Sequence, residues 1–266
     1  MLRQRFSSLI TIVATLSMAF APMATRAAIT DVFGPGDLIR GESFSTVYYF
    51  GNDGLRYVFP NEKTYFTWYP DFSTVKMISD QNLFALPLGR SNITYRPGVK
   101  MVKVDTDPKT YAIDKGGVLR WVQSEQMAET LYGLNWNLRI DDLPDPFFIN
   151  YTVGAPIEMA SEYSPADATN TTPTVSSDKN FDDTQVGISI GNMTSGFVPK
   201  SITIKKGTTV TWTNRDIELH TVTGNAFDSG NIDKEGTYSR TFNSVGTFEY
   251  ACAIHPTMTG VIHVVN

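Results

Sequence analysis

Apolar and polar residues alternate along most of the last 80 or so residues of this chain, a period that favours β-strands over helices. Gly, Asn and Ser separate the alternating segments at intervals of ~8–12 residues, as in a two-sheet sandwich. The pattern therefore predicts a Greek-key β-sandwich over residues 185–266. The predicted strands are Val186–Ile190, Ser201–Lys205, Thr208–Asn214, His220–Thr223, Tyr238–Phe242, Thr247–Cys252 and Gly260–Val265.

Residues 29–154 contain an internal repeat. The segment Val47–Val58 is similar to Thr110–Val122, and each copy predicts a strand, a Gly-containing turn and a second strand. A polar stretch and a large apolar pair that ends in tyrosine (Trp68-Tyr69 and Leu131-Tyr132) follow each copy and predict a short helix. Two such copies predict a duplicated, β-hairpin-rich α+β module. It resembles a repeat of exported bacterial proteins without a known role, and it contains no His and no Cys.

Between these regions, residues 155–184 are rich in Ser, Thr, Pro and Ala and carry six acidic residues and one lysine. This composition is typical of segments that bury no core. We therefore predict a flexible linker and the domain division 29–154, 155–184 and 185–266.

Residues 1–28 have the three parts of a secretory signal peptide: a basic start, an apolar run from Phe6 to Ala21, and small residues before a cleavage point near Ala27. An uncleaved anchor is the alternative, although the run is shorter than the ~20 residues of a membrane span. No later segment is apolar enough to span a bilayer. We predict an exported protein, periplasmic or at the cell surface, with no membrane span once the signal is removed. The net charge of −5 and the lack of a Lys/Arg cluster argue against nucleic acid as a partner.

Four side chains of the last region suggest a metal site. Cys252, His255 and Met258 fall within seven residues where one predicted strand ends and the last begins, and His220 stands at the head of another strand. The chain has only this one cysteine, so the thiol cannot form an intramolecular disulfide in an oxidising compartment. Two imidazoles and a thiolate with a weak axial thioether are the ligands of blue-copper sites, whereas tetrahedral zinc more often takes several cysteines. His263 alternates with apolar neighbours in the final strand and is assigned to the surface.

These residues, with the segments Phe197–Asn214 and Gly246–Cys252, resemble the cupredoxin family of plastocyanin, pseudoazurin and amicyanin. The resemblance covers about residues 187–266, under a third of the chain. The two-residue gap between His255 and Met258 is that of amicyanin. The resemblance implies one type 1 copper ion and electron transfer without substrate turnover. It also implies that Asn214 ties the His220 strand to the Cys loop.

Further expectations concern the surroundings of the ligands. The backbone N–H of Thr221 is placed to donate to the sulfur of Cys252, whereas Pro256 has no N–H to donate and stiffens the loop. The resemblance also implies that His255 is the electron port, where redox protein partners dock on an apolar patch that Ile254, Pro256 and Met258 would form here. Six Lys/Arg and six Asp/Glu leave residues 185–266 near neutrality, so docking is expected to be mostly apolar.

The sequence leaves other functions open. Extracytoplasmic copper handling without electron transfer is the main alternative, although such proteins favour many Met or His ligands in open sites. A copper enzyme needs further His clusters, and the chain has three His in total. Residues 29–154 are compatible with attachment to a surface or a partner. The sequence leaves the oligomeric state open.

Overall fold

A computed structural model describes residues 28–266. The predicted signal peptide therefore lies outside the described residues, except for its last position. Among residues 28–266, no helix is long and apolar enough to cross a membrane. The fold is mainly β, as predicted, and is built from four sheets.

The first repeat is a four-stranded sheet with two helices. Its strands lie in the order β3-β2-β1-β4, with β4 parallel to β1 and the other pairs antiparallel. Its elements are β1 (Leu38–Gly41), β2 (Tyr48–Phe50), β3 (Arg56–Val58), α1 (Glu62–Trp68), β4 (Val75–Ile78) and α2 (Asp80–Ala85).

The second repeat has the same arrangement, which confirms the predicted duplication. Its strands lie in the order β7-β6-β5-β8, with β8 parallel to β5, and a short strand β9 is added beside β7. Its elements are β5 (Met101–Val104), β6 (Thr110–Asp114), β7 (Val118–Val122), α3 (Glu125–Tyr132), β8 (Ile140–Leu143), α4 (Asp145–Phe148) and β9 (Thr152–Val153).

The predicted helix after each hairpin is present, and each starts at a capped residue. The side chain of Asn61 accepts a hydrogen bond from the Thr64 N–H before α1, and that of Ser124 accepts from Met127 before α3. Such caps satisfy backbone donors that the first helical turn leaves without a partner. The polar residues Asn61 and Ser124 therefore fix where the two helices begin.

The prediction of a flexible linker over residues 155–184 is wrong. The segment forms the helices α5 (Pro165–Thr171) and α6 (Val175–Lys179), and Ile157 and Val175 are fully buried. Ile157 packs in the core of the second repeat and Val175 in that of the first. The Ser/Thr-rich composition reflects helix caps, such as the reciprocal capping box at Thr174, rather than solvation of a mobile chain.

A buried carboxylate further attaches residues 155–184 to the second repeat. Asp178 accepts a hydrogen bond of 2.8 Å from the N–H of Gly116, in the turn between β6 and β7. Gly116 has a φ of 76°, a conformation that glycine adopts without strain. Burial raises the pKa of the Asp178 carboxyl above its usual value.

Residues 185–266 form the predicted two-sheet sandwich. One sheet has the order β11-β10-β13-β16 and the other β12-β18-β17-β14-β15. The chain crosses from one sheet to the other after β11, β12, β13, β15 and β16. The core between them centres on the fully buried Trp212. The strands are β10 (Gln185–Ile190), β11 (Phe197–Val198), β12 (Ser201–Lys205), β13 (Thr209–Asn214), β14 (Thr223–Gly224), β15 (Phe227–Asp228), β16 (Thr237–Thr241), β17 (Gly246–Ala251) and β18 (Thr259–Val265).

The sandwich packs directly on the first repeat. Val198 of β11 is buried in a cluster with Ile39, Phe50 and Leu83 of that repeat. At the next contact, the Gly187 N–H donates to the Asn52 carbonyl at 2.8 Å. The two parts are therefore joined by a packed interface in addition to the chain that connects them.

We predict that Ile157→Ala lowers the free energy of unfolding by about 2–4 kcal/mol, because it leaves a cavity in a packed core. Ile149→Ala is the matched control, since Ile149 is 87% exposed while Ile157 is fully buried. Chemical denaturation of both variants measures the difference. Equal stabilities would show that residues 155–184 do not belong to the core.

Candidate metal centre

The loop between β17 and β18 carries three of the predicted ligands, Cys252, His255 and Met258, and is closed by its own backbone. Cys252 directly follows β17, and Met258 directly precedes β18. The Cys252 N–H donates to the Met258 carbonyl at 3.0 Å, and the Met258 N–H donates to the His255 carbonyl at 2.9 Å. Because the antiparallel pair β17–β18 fixes both ends of the loop, the side chains of Cys252 and Met258 are buried at the end of the sandwich.

His220 comes from the chain between β13 and β14. Its backbone forms an isolated antiparallel bridge with Ile232, with N–H to carbonyl distances of 3.3 and 2.8 Å. The prediction of a strand over His220–Thr223 is only partly right, because regular pairing is limited to this bridge and to β14. The imidazole of His220 is fully buried, in contact with the loop that follows β17.

Asn214 ends β13 and links the segments around His220. Its side-chain amide donates to the carbonyls of Glu218 and Ile232 at 2.7 and 2.9 Å, and its side-chain oxygen accepts from the Asp216 N–H at 2.9 Å. Asn214 thus folds the chain back before His220. The amide does not bond to the Cys252 loop itself, so it acts on that loop through the position of His220.

Three potential ligand atoms converge. The Cys252 sulfur lies 3.8 Å from the Nδ1 atoms of both His220 and His255, and these two nitrogens are 3.3 Å apart. A triangle with these sides has a point about 2.1 Å from each corner, close to the bond lengths of first-row metals to imidazole and thiolate. Among the described residues, this is the one group of His, Cys, Asp and Glu with such a geometry.

The outer nitrogen of each imidazole faces a carboxylate. The Nε2 of His220 lies 3.2 Å from Asp216, and that of His255 lies 3.4 Å from Glu218. A proton on each Nε2 leaves each Nδ1 with a lone pair directed at the centre of the triangle. Two lone pairs and a sulfur at these distances repel one another unless a cation lies between them. Metal-bound histidines characteristically donate their second N–H to such an acceptor.

The sulfur receives the predicted backbone hydrogen bond. The Thr221 N–H donates to Cys252 Sγ at 3.3 Å, and the Thr221 hydroxyl accepts from the Ala253 N–H at 2.7 Å. The sequence interpretation did not include this hydroxyl bond, which ties the two ligand-bearing segments together. It also did not include Asp216 and Glu218. The spacing of Asp216 and His220 by four residues was the available signal for one of them.

His263 and Met258 stand apart from this triangle in different ways. His263 lies in β18, where its Nδ1 is 3.1 Å from the Thr247 hydroxyl, away from the other two histidines. Met258 is buried beside the loop over residues 191–196: a Cβ at Gly196 would lie 4.0 Å from its Cγ. Its assignment as the axial ligand remains a prediction.

The donor set fits copper. A cysteine thiolate and two imidazoles suit a metal that alternates between Cu(I) and Cu(II), and a buried thioether suits the weak axial position. A structural zinc site would take a complete tetrahedral shell of Cys and His, and here the group of His and Cys ends at three.

Comparisons with known families agree with this chemistry. Residues 183–265 match the model of the family described as copper binding proteins, plastocyanin/azurin family. The C-terminal part of the chain is thus a cupredoxin-like domain, and its cofactor is copper. The family match does not extend to the two repeats.

Curated relatives include amicyanins. The chain is 33% identical to amicyanin of Paracoccus versutus over 73 residues, which are 25% of this chain and 55% of that protein. It is 37% identical to amicyanin-alpha of Methylorubrum extorquens over 73 residues, 25% of this chain and 61% of that one. The chain spans about half to three fifths of the length of these relatives.

Solved structures similar to this chain include two copper proteins. A purple cupredoxin from Nitrosopumilus maritimus is 27% identical, with a TM-score of 0.29, and the match covers 30% of this chain and 98% of that one. A copper-containing nitrite reductase from Thermus scotoductus is 26% identical, with a TM-score of 0.28, over 31% of this chain and 23% of the reductase.

We predict that Asn214→Ala lowers the stability of the metal-free protein by about 1–3 kcal/mol, because the carbonyl of Ile232 loses its buried amide donor. Asn225→Ala, at an exposed position of the β14–β15 turn, is the control and should cost little. Chemical denaturation followed by circular dichroism measures both changes. A loss no larger than that of the control would show that Asn214 does not organise the His220 segment.

Proposed function

We propose that this chain is an exported type 1 copper protein that carries electrons. His220, Cys252 and His255 would hold one copper ion, and Met258 would be the fourth, weaker ligand. The converging Nδ1, Nδ1 and Sγ atoms are the observation that carries the proposal.

The residues around the site are suited to electron transfer rather than to substrate binding. When bound, copper supplies a one-electron couple between Cu(II) and Cu(I). The chain fixes its ligands from three sides: Asp216 orients His220, Thr221 donates to the sulfur, and the closed loop after β17 holds His255. A site that changes shape little on gaining or losing an electron transfers it quickly.

His255 is the side chain through which electrons would pass. Its side chain is 14% exposed, whereas that of His220 is fully buried. Ile254 and Pro256 flank it and are exposed, as an apolar docking patch requires, whereas Met258, the third residue expected in that patch, is buried. A redox protein that docks there would exchange electrons through the imidazole edge.

We infer no substrate turnover by this chain alone. Enzymes of the multicopper oxidase and nitrite reductase kinds need additional copper centres built from further histidines. The sequence has three histidines, and His263 lies outside the cluster. Export is inferred from the signal-like residues 1–28.

The first test is optical. The copper-loaded protein should show an intense thiolate-to-copper absorption band at ~600 nm, and Cys252→Ser should abolish it. Met258→Leu should shift the band and the reduction potential, whereas Met193→Leu, at an exposed methionine, should change neither. Persistence of the band in Cys252→Ser would refute the assignment. Copper binding without reversible reduction in voltammetry would favour copper handling instead.

The second test concerns the domain boundary. We predict that residues 185–266 fold and bind copper on their own, because their two sheets enclose a complete core. Their melting temperature should be lower than in the full chain, since Val198 loses its apolar neighbours in the first repeat. Absorption spectra and thermal melts of the fragment measure both. Copper binding only by the full chain would place the boundary elsewhere.

A further inference from the structure

Helix α2 of the first repeat lies beside the copper-binding end of the sandwich. The loop over residues 191–196 separates the two. A Cβ at Gly191 would be 3.5 Å from that of Ala85 in α2, and a Cβ at Gly196 would be 4.0 Å from Met258 Cγ. The Gly191 N–H donates to the Gly196 carbonyl at 2.8 Å, so the loop closes on itself. The loop over residues 191–196 therefore contacts α2 at one end and approaches the side chain of Met258 at the other.

The position of α2 is fixed by packing. Leu83 of α2 and Val198 of β11 are buried in the same apolar cluster. A second contact holds the orientation, because Gly54 approaches the backbone of Gly187 so closely that a Cβ there would lie 3.0 Å from it. The first repeat thus presents α2 to any molecule that approaches this end of the sandwich.

Apolar side chains are exposed on both sides of the loop. On the α2 side, Phe84 is 61% exposed and packs edge-on against Phe44, with ring centroids 5.6 Å apart. Met193 is exposed on the loop itself. On the copper side, Ile217 directly precedes Glu218 and Ile254 directly precedes His255, and both are exposed. We call these five residues the composite face.

The composite face carries negative charge at its copper side. Glu218 is more than half exposed, and its carboxylate lies 3.4 Å from the Nε2 of His255. Within residues 28–266, no Lys or Arg lies within ion-pair distance of Glu218 or of Asp216. A partner that covers His255 also covers the exposed Glu218, whose one ion-pair contact among residues 28–266 is the His255 imidazole. Burial of that carboxylate without a further partner is costly. Lysine or arginine on the partner offsets that cost.

We propose that α2 extends the electron-transfer docking surface, and that the partner is a redox protein whose electron-entry site is surrounded by apolar residues and by lysine or arginine. This inference rests on the proposed electron-carrier function. It gives the first repeat a role, since Phe84 and Phe44 supply contact area that the sandwich alone does not have. Large apolar side chains of this kind dominate the energy of many interfaces.

The test measures electron exchange by stopped-flow between the full copper-loaded chain and a c-type cytochrome whose haem edge is ringed by lysines. Replacing both phenylalanines (Phe44→Ala with Phe84→Ala) should lower the second-order rate constant by about tenfold. Ile149→Ala is the control, because Ile149 is a large, exposed apolar residue that directly follows α4 in the second repeat. It should leave the rate constant unchanged.

Two further measurements separate the possible results. Exchange with a small inorganic complex, such as hexaammineruthenium, should be equal in all variants, because it needs no docking surface. The cytochrome rate should fall as salt is raised from about 0.01 to 0.5 M, since screening weakens the attraction of opposite charges. Equal cytochrome rates in the double variant and the control would overturn the role of α2. A rate that rises with salt would overturn the cationic partner, and no exchange with either reagent would overturn the electron-carrier function as well.

Discussion

The convergence of three electron-rich atoms is the constraint on which the copper end of this molecule depends. Two imidazole nitrogens and a sulfur lie within 3.8 Å of one another, an arrangement that the surrounding residues must hold in place. The support comes from the backbone and from carboxylates. Thr221 ties the sulfur-bearing loop to the His220 segment, and Asp216 and Glu218 hold the outer nitrogens. A site that is held in place before the metal binds changes little when the metal changes its charge.

The sandwich supplies that support because of how its strands end. The pair β17–β18 brings Cys252 and Met258 together, while β13 ends at Asn214, whose amide turns the chain toward His220. Each sheet therefore contributes one ligand-bearing segment at the same end. Trp212 and the aromatic residues around it fill the interior and keep the two sheets in register.

The two repeats are part of the same packed structure. Their sheets share one topology, and residues 155–184 wrap back onto both of them before the sandwich begins. Val198 then buries itself among residues of the first repeat. The copper end consequently has a fixed orientation relative to the repeats, unlike a domain on a mobile tether. Composition concealed this arrangement, because a few buried residues such as Ile157 and Val175 suffice to anchor a segment that is otherwise polar.

The sequence by itself determined the local features of this protein. Alternation located six strands of the sandwich to within one residue, because a half-buried strand needs period two, but it missed the short β11 and β15 and started β14 three residues too early. The spacing of Cys252, His255 and Met258 pointed to copper, because few metals take that set of donors. The duplication of the hairpins was visible because both copies conserve their turn and strand pattern.

Only the tertiary structure decided what depends on distant segments meeting. The role of the Asp216 and Glu218 carboxylates follows from the imidazole rings that they face, and the contact of Glu218 with His255 joins two loops. The place of α2 beside Met258 joins residues more than 170 positions apart in the chain. Such contacts depend on how whole elements pack, and local periodicity carries no information about them. For the same reason, only the structure shows that residues 155–184 belong to the core and do not form a linker.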